Sequence, residues 1–276
     1  MSKKGPGLFS DFGKNAKDIL TKDYSHNQKF TIASRADAGI DLTSTLMRKG
    51  GLSTGGVAAK YKYKKTILGV RFNTQSNIST TLTISDVLPS TKAIASWKLL
   101  DYSSSKIEIQ YFYEHACFTT AVGSLSKSPA LDISAAIGTP HVAFGTEASY
   151  SLASGNFTKY NAGVSLKKPN FSASVILTDK GDAVRASFLH HIGQQKRGTA
   201  VGEIARKFST NENTSTVGCS YSVNPQTVVK AKLNNHGNLG ALVQHKLKSK
   251  SFLILCGNFD TMEKIPKFGV MLSLMP

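Results

Sequence analysis

The sequence predicts an all-β protein preceded by one short amphipathic helix. Three observations carry that expectation. From about residue 27 onward, apolar and polar residues alternate with period 2 in segments of about ten residues. These segments are divided by Gly, Asn, Asp, Ser, Pro or Lys clusters, and no second helical pattern of comparable clarity interrupts them, which excludes a βαβ arrangement. The longest uninterrupted apolar run is about five residues, at Phe252–Cys256, whereas a membrane helix needs about 18.

The helix is expected over residues 8–20. Leu8, Phe12, Ala16, Ile19 and Leu20 recur at i, i+4 and i+7/i+8 spacing and make one apolar face. Ser10 or Asp11 stands where a helix start is capped, and Lys14, Lys17 and Asp18 lie on the other faces. Residues 1–25 therefore read as an N-terminal segment and residues 26–276 as the β body.

The strands then follow in order. Phe30 and Ile32 alternate with Lys29, Thr31 and Arg35; Ile40, Leu42 and Leu46 share the next apolar parity. Val57, Ala59, Tyr61 and Tyr63 alternate with Lys60, Lys62 and Lys64, and Leu68, Val70 and Phe72 with Arg71 and Asn73. Ile78, Leu82 and Ile84 precede Ala93, Ala95 and Trp97, the latter alternating with Lys92, Ser96 and Lys98. Ile107, Ile109, Tyr111 and Tyr113 alternate with Lys106, Glu108 and Gln110. The rhythm continues through Leu131/Ile133/Ala135/Ile137, Tyr160/Ala162/Val164/Leu166, Phe171/Ala173/Val175/Leu177, Thr227/Val229/Ala231/Leu233 and Phe268/Val270/Leu272/Leu274. Roughly 18–20 segments fill the chain, weakest around residues 197–207 and 248–260.

The 276 residues carry 34 Lys+Arg against 17 Asp+Glu, a formal net charge of +17, with only 18% charged and 40% hydrophobic residues. That composition excludes a disordered chain. Three cysteines without CxxC spacing exclude a disulfide scaffold and give no metal-ligand pattern. The excess charge calls for something negative: nucleic acid, an acidic membrane surface or anionic solutes. The basic start, Lys3 and Lys4, is not followed by an apolar stretch of secretory-signal type.

Two architectures suit many strands with one apolar face. A soluble sandwich turns that face inward; a membrane barrel turns it to lipid and its polar face to a water-filled lumen. Strands of about 9–11 residues match a tilted bilayer crossing better than the shorter strands of sandwiches. The apolar parity is often small or aromatic, which suits lipid contact. The cations lie largely on the polar parity, where a barrel would place them along a pore.

Residues 9–24, FSDFGKNAKDILTKDY, resemble the N-terminal helix of mitochondrial porins, the voltage-dependent anion channels, and residues 230–247, KAKLNNHGNLGALVQHKL, resemble the eukaryotic porin signature near the C-terminus. The sequence is most similar to the plant branch of that family. Lys267, Gly269, Leu272 and Leu274 resemble the sorting signal of mitochondrial outer-membrane barrels. The resemblance implies a 19-stranded transmembrane barrel with first and last strands parallel and the helix in the lumen. It implies a voltage-gated, weakly anion-selective channel of the mitochondrial outer membrane, with plastid or other membranes as further locations. ATP, ADP, phosphate and chloride would be permeants, membrane lipid the surroundings, and self-association in the membrane an expectation. The gating helix would use Leu8, Phe12, Gly13, Lys14, Lys17, Asp18, Ile19 and Leu20, with Lys14 and Lys22 meeting nucleotide phosphates. By parity, Lys29, Arg35, Lys60, Lys62, Arg71, Lys92, Lys98, Lys230 and Lys232 would line the pore, joined by Lys106, Lys159, Lys167, Arg185 and Lys246. Asp41, Glu108, Asp132 and Glu147 would moderate the field. Two departures stand out: the Gly-Leu-Lys triplet of animal members is absent near Thr91–Ile94, and Val70 stands where some carry a membrane-facing glutamate.

Other chemistries fit poorly. Gly51–Gly55 matches GxSxG but sits between two β segments instead of a strand-to-helix turn. His190 and His191 are adjacent and point to opposite faces of a strand; no HExxH, Walker A or GxGxxG accompanies them. The expectation is no enzyme, no metal and no cofactor. A soluble basic β protein binding nucleic acid is the alternative from charge, but the cations are spread and no nucleic-acid motif appears. A protein-import barrel of the same fold would favour an acidic lumen, against this charge.

Overall fold

The computed structural model describes residues 5–36, 39–99, 101–123, 129–193, 196–248, 250–262 and 264–275. The basic start at Lys3 and Lys4 and the terminal Pro276 lie outside the described residues. After a 3-10 turn at Phe9–Asp11 and helix α1 (Lys14–Thr21), the chain is all strand. The strands are β1 (Gln28–Ala36), β2 (Ile40–Lys49), β3 (Leu52–Tyr63), β4 (Thr66–Asn73), β5 (Ile78–Ser85), β6 (Thr91–Lys98) and β7 (Asp101–Phe112). They continue as β8 (Ala116–Gly123), β9 (Ala130–Gly138), β10 (Val142–Ser151), β11 (Asn156–Lys167), β12 (Phe171–Thr178) and β13 (Ala183–Ile192). The last are β14 (Gly198–Lys207), β15 (Glu212–Asn224), β16 (Thr227–Asn234), β17 (Asn238–Lys248), β18 (Ser251–Asp260) and β19 (Pro266–Leu274).

Each strand pairs antiparallel with its neighbours, and β1 closes the sheet by pairing parallel with β19, from Gln28↔Val270 to Ile32↔Leu274. The parallel seam follows from the strand count. Hairpins reverse direction at every turn, so strands 1 and 19 of an odd series run the same way. Closure leaves no unpaired edge and satisfies the backbone within the sheet, as a hydrocarbon environment demands. No helix among the described residues is long and apolar enough to cross a membrane.

Burial is inverted relative to a soluble protein. Phe144 (59% exposed), Phe188 (50%) and Ile204 (58%) point outward, while Leu189 and Val201, on the opposite parity, are 3% and 4% exposed. The buried clusters lie inside the barrel: Phe9 and Phe12 on Ala136 and Ala143, and Ala16 and Leu20 on Leu189 and Val201.

This inversion explains the two weakly legible segments. Both are full strands, β14 and β18. The inner face of β14 carries Val201 under Leu20, and the inner face of β18 carries Ile254 and Cys256 under Tyr24. Where the N-terminal segment covers the wall, the inner face gains apolar residues and the period-2 signal fades.

The N-terminal helix needs correction. The expected single helix over residues 8–20 is two pieces, broken at Gly13, which adopts φ +66° and stands as the residue before α1. Neither Ser10 nor Asp11 caps α1; Asp11 instead forms an ion pair with Lys14 at 3.2 Å. The break moves Leu8 off the buried face and puts Phe9 there. Phe12, Ala16 and Leu20 are buried as expected, and Ile19 packs half-buried beside them.

Candidate functional site: the lumen and its N-terminal segment

The segment from Gly5 to Asn27 lies inside the barrel. Its 3-10 turn meets β9 and β10, and α1 meets β13 to β16. Gly13 passes so close to the wall that a Cβ there would sit 2.7 Å from the Ser174 Oγ and 3.0 Å from the Ser187 Oγ. Those two hydroxyls, buried beneath it, bond each other at 2.7 Å and so satisfy themselves without the helix. At the far end of α1, a Cβ on Gly218 would meet the Leu20 Cδ2 at 2.6 Å. One glycine on the segment and one on the wall set how closely the two pack. The opposite side of α1 is polar: Lys14, Lys17 and Lys22 are exposed to the open lumen, and Asp18 is half-buried.

A second attachment follows the helix. The Tyr24 ring packs on the cluster of Leu242, Ile254 and Cys256, which Met271 also flanks, and the Lys232 ammonium sits 4.3 Å from its centroid. The Cys256 thiol donates to the Ser25 carbonyl at 2.8 Å. A Cβ at Gly269 would collide with that carbonyl, so the chain crosses the wall over a bare backbone position. The Tyr24 hydroxyl is buried without a hydrogen-bond partner. Burial, reinforced by the Cys219 and Cys256 thiols, weakens it as an acid and pushes its pKa up to about 12. Sequence reading missed this attachment, because Tyr24 lies more than 200 residues from Lys232, Leu242, Ile254 and Cys256, Ser25 lies 231 from Cys256, and none carries a local pattern.

The inner face is fixed by Leu189 and Val201 beneath the helix, and strand register carries it around the wall. Lys29 and Arg35 share it with Met47 and Asp41. Lys60, Lys62 and Arg71 follow on β3 and β4, and Lys92 and Lys98 on β6 opposite Ser85 and Ser79. Lys230 and Lys232 share it through Ser220 and Gly218, and Lys267 and Gly269 through Asn258 and Cys256. Leu272 and Leu274 fall on the outer face with Phe30 and Ile32. Val70 is also outward.

The carboxylates are not spread evenly. On the inner face of β1 to β6, Asp41 is the one carboxylate among the described residues, 3.4 Å from Arg35. Glu108, Asp132, Glu147 and Glu203 all lie on β7 to β14, the half of the wall that the N-terminal segment covers. Three of the four pair with cations there: Lys106–Glu108 at 3.4 Å, Lys159–Glu147 at 3.1 Å, Arg185–Glu203 at 3.7 Å. Asn161 adds a bond to Glu147 at 3.0 Å. By contrast, Lys29, Lys60, Lys62, Arg71, Lys92 and Lys98 face the uncovered half without an ion pair among the described residues. The open half of the lumen is therefore bounded by unneutralised wall cations on one side and helix lysines on the other.

The eukaryotic porin family model matches residues 5–269. The chain is 52% identical to mitochondrial outer membrane protein porin 2 of Arabidopsis thaliana, over 99% of both chains. It is 51% identical to mitochondrial outer membrane protein porin 5 of Oryza sativa subsp. japonica, over the full length of both, and 40% identical to the outer plastidial membrane protein porin of Pisum sativum, over 99% of both. Among solved structures, a mutant of the Rh. blastica porin aligns with a TM-score of 0.52 at 9% identity, over 79% of this chain and 88% of that one, a likeness of fold alone. Its closed barrel, its enclosed N-terminal helix and this full-length similarity agree: the chain belongs to the eukaryotic porin family.

Proposed function

We propose that this chain forms a voltage-gated, weakly anion-selective pore of the mitochondrial outer membrane, passing small metabolites and inorganic anions. The observation that carries the reading is the half-lumen on β1 to β6, where Lys29, Lys60, Lys62, Arg71, Lys92 and Lys98 have no ion pair among the described residues. A water-filled passage lined by fixed positive charge concentrates anions and repels cations. In a water-filled passage a Debye length of ~8 Å screens each charge, so the preference is modest and shrinks as salt rises. Chloride, phosphate and nucleotides such as ATP and ADP are the permeants this supports. Lys14 and Lys22, exposed to the same space, are offered as point-charge contacts for passing phosphates.

Voltage sensitivity is assigned to the N-terminal segment. Between Gly5 and Lys22 it carries three lysines and two aspartates, one net positive charge. Moving one charge across the full field is worth about 2.3 kcal/mol per 100 mV, which is comparable to docking a small apolar face of Phe12, Ala16, Ile19 and Leu20. Lys267, Gly269, Leu272 and Leu274 are proposed as the sorting signal, with two members facing inward and two facing lipid. The purified full-length chain, reconstituted into liposomes, is expected to release trapped ATP and to remain in the membrane pellet through alkaline carbonate extraction. Retention of ATP, or recovery of the chain in the carbonate supernatant with bound nucleic acid, would overturn the proposal.

A further inference from the structure

The outer rim between β11 and β14 carries features that the pore does not use. Two stretches lie side by side there, residues 168–170 and, of the connection after β13, the described residues 193, 196 and 197. The Lys196 ammonium donates to the Pro169 carbonyl at 2.7 Å and braces one stretch against the other. Lys168, Lys196 and Arg197 are exposed, and none forms an ion pair among the described residues. The sequence of these two stretches, and of the flanking turns at residues 139–141 and 225–226 on the same rim, contains no Asp or Glu. The other ends of these same strands differ: the β12–β13 turn holds Asp179 and Asp182, with Asp182 accepting from the Ser209 amide at 2.8 Å.

Directly below the basic turns, the outward face of β12 and β13 is an aromatic step. Phe171 and Phe188 have ring centroids 6.1 Å apart, and the His190 imidazole stacks on Phe188 at 6.4 Å with 4° between planes. The Lys168 ammonium reaches over Phe171, 5.4 Å from its centroid. His190 pairs in register with Phe171, the first residue of β12, so the step sits at the strand ends where the apolar surface meets the turns.

We propose that this rim is a docking site for an anionic phospholipid. The phosphate would be held by Lys168, Lys196 and Arg197, and the upper acyl chain would lie on Phe171 and Phe188. Cations without carboxylate partners complement a phosphodiester. A cluster of Lys and Arg at a membrane surface favours anionic lipid, and aromatic rings at the boundary suit the glycerol and first methylenes. The site commits to lipid over free phosphate because half of it is an apolar step that a soluble anion does not need. The inference rests on reading the outer face as lipid-facing.

The test uses the full-length chain in phosphatidylcholine vesicles doped with photoactivatable phosphatidylglycerol or, in parallel, photoactivatable phosphatidylcholine, with cross-links mapped to peptides. Labelling by the phosphatidylglycerol probe is expected to concentrate on residues 168–192, and labelling by the phosphatidylcholine probe to spread around the barrel. Lys168→Gln should lower the ratio of the two labels at that segment about fivefold, from about one surface charge's worth of attraction, with Lys180→Gln on the opposite rim leaving it unchanged. Raising salt on the unmodified chain should lower the ratio too, a readout that needs no variant to fold. Even phosphatidylglycerol labelling around the barrel, or a ratio indifferent to both Lys168→Gln and salt, would overturn the lipid site. Displacement by millimolar glycerol phosphate would reassign it to free phosphate and equally overturn it. Absence of labelling by either lipid would instead refute the membrane-spanning reading.

Discussion

At the scale of single residues, the docking of the N-terminal segment turns on a few close approaches. Gly218 is one such position on the wall, since any side chain there meets Leu20. Gly218→Val is expected to weaken docking by about 1–3 kcal/mol, as overpacking does. Limited proteolysis at Lys14, Lys17 and Lys22 should then run faster while the barrel itself stays resistant. Tyr24 offers a pH readout. Its pKa is pushed up to about 12 when docked, against about 10 for a free phenol, so the docked state holds its proton more tightly. The sign follows by linkage: Tyr24's contribution is complete below pH 10 and fades as the pH climbs toward 12. Tyr24→Phe removes a hydroxyl that has no partner, so docking at neutral pH should be kept or slightly strengthened. The alkaline loss of protease protection should be smaller in Tyr24→Phe than in the parent; equal losses would assign the effect to lysines alone. These contacts were not legible in the sequence. They join residues far apart in the chain, and nothing in the pattern around Tyr24, Gly218 or Cys256 marks them.

At the scale of elements, the strands were legible because each has one face in lipid and one in water, and period 2 records that difference directly. The exceptions are physical. β14 and β18 blur because the N-terminal segment lies on their inner faces, which makes Val201, Ile254 and Cys256 apolar where the rest of the wall is polar. The helix was legible as amphipathic, but its break was not, because Gly13 reads as a tolerated helix glycine until the Ser174–Ser187 wall beneath it is seen. The expected cap at Ser10 or Asp11 failed for the same reason: α1 starts after the break, at Lys14. The segment contributes no strand to the sheet, so removing it should leave the barrel intact. A chain lacking residues 1–22 is expected to conduct with the same order of conductance and to lose most of its voltage-dependent closure. Undiminished closure in planar bilayers would remove the segment from the gate.

At the scale of the whole molecule, the net charge of +17 is a property of arrangement as much as of composition. Strand parity put the cations on one face, and that much could be read from the sequence. Their partition around the wall could not, because it depends on which strands the helix covers. The inner-face carboxylates of β7 to β14 gather on the side where the N-terminal segment packs, three of the four in ion pairs, and the uncovered half keeps its positive charge. Reversing charge on the two halves should therefore have unequal effects. Arg71→Glu together with Lys92→Glu should move the pore toward cation preference, whereas Lys159→Glu, beside Glu147 on the covered half, should change selectivity less and should instead loosen local packing. The most direct test of the cationic half-lumen is the reversal potential of the purified full-length chain in a KCl gradient across a planar bilayer. The arrangement predicts an open state that prefers chloride, weakly, with the preference declining as total salt is raised; a cation-preferring open state at low salt would contradict it.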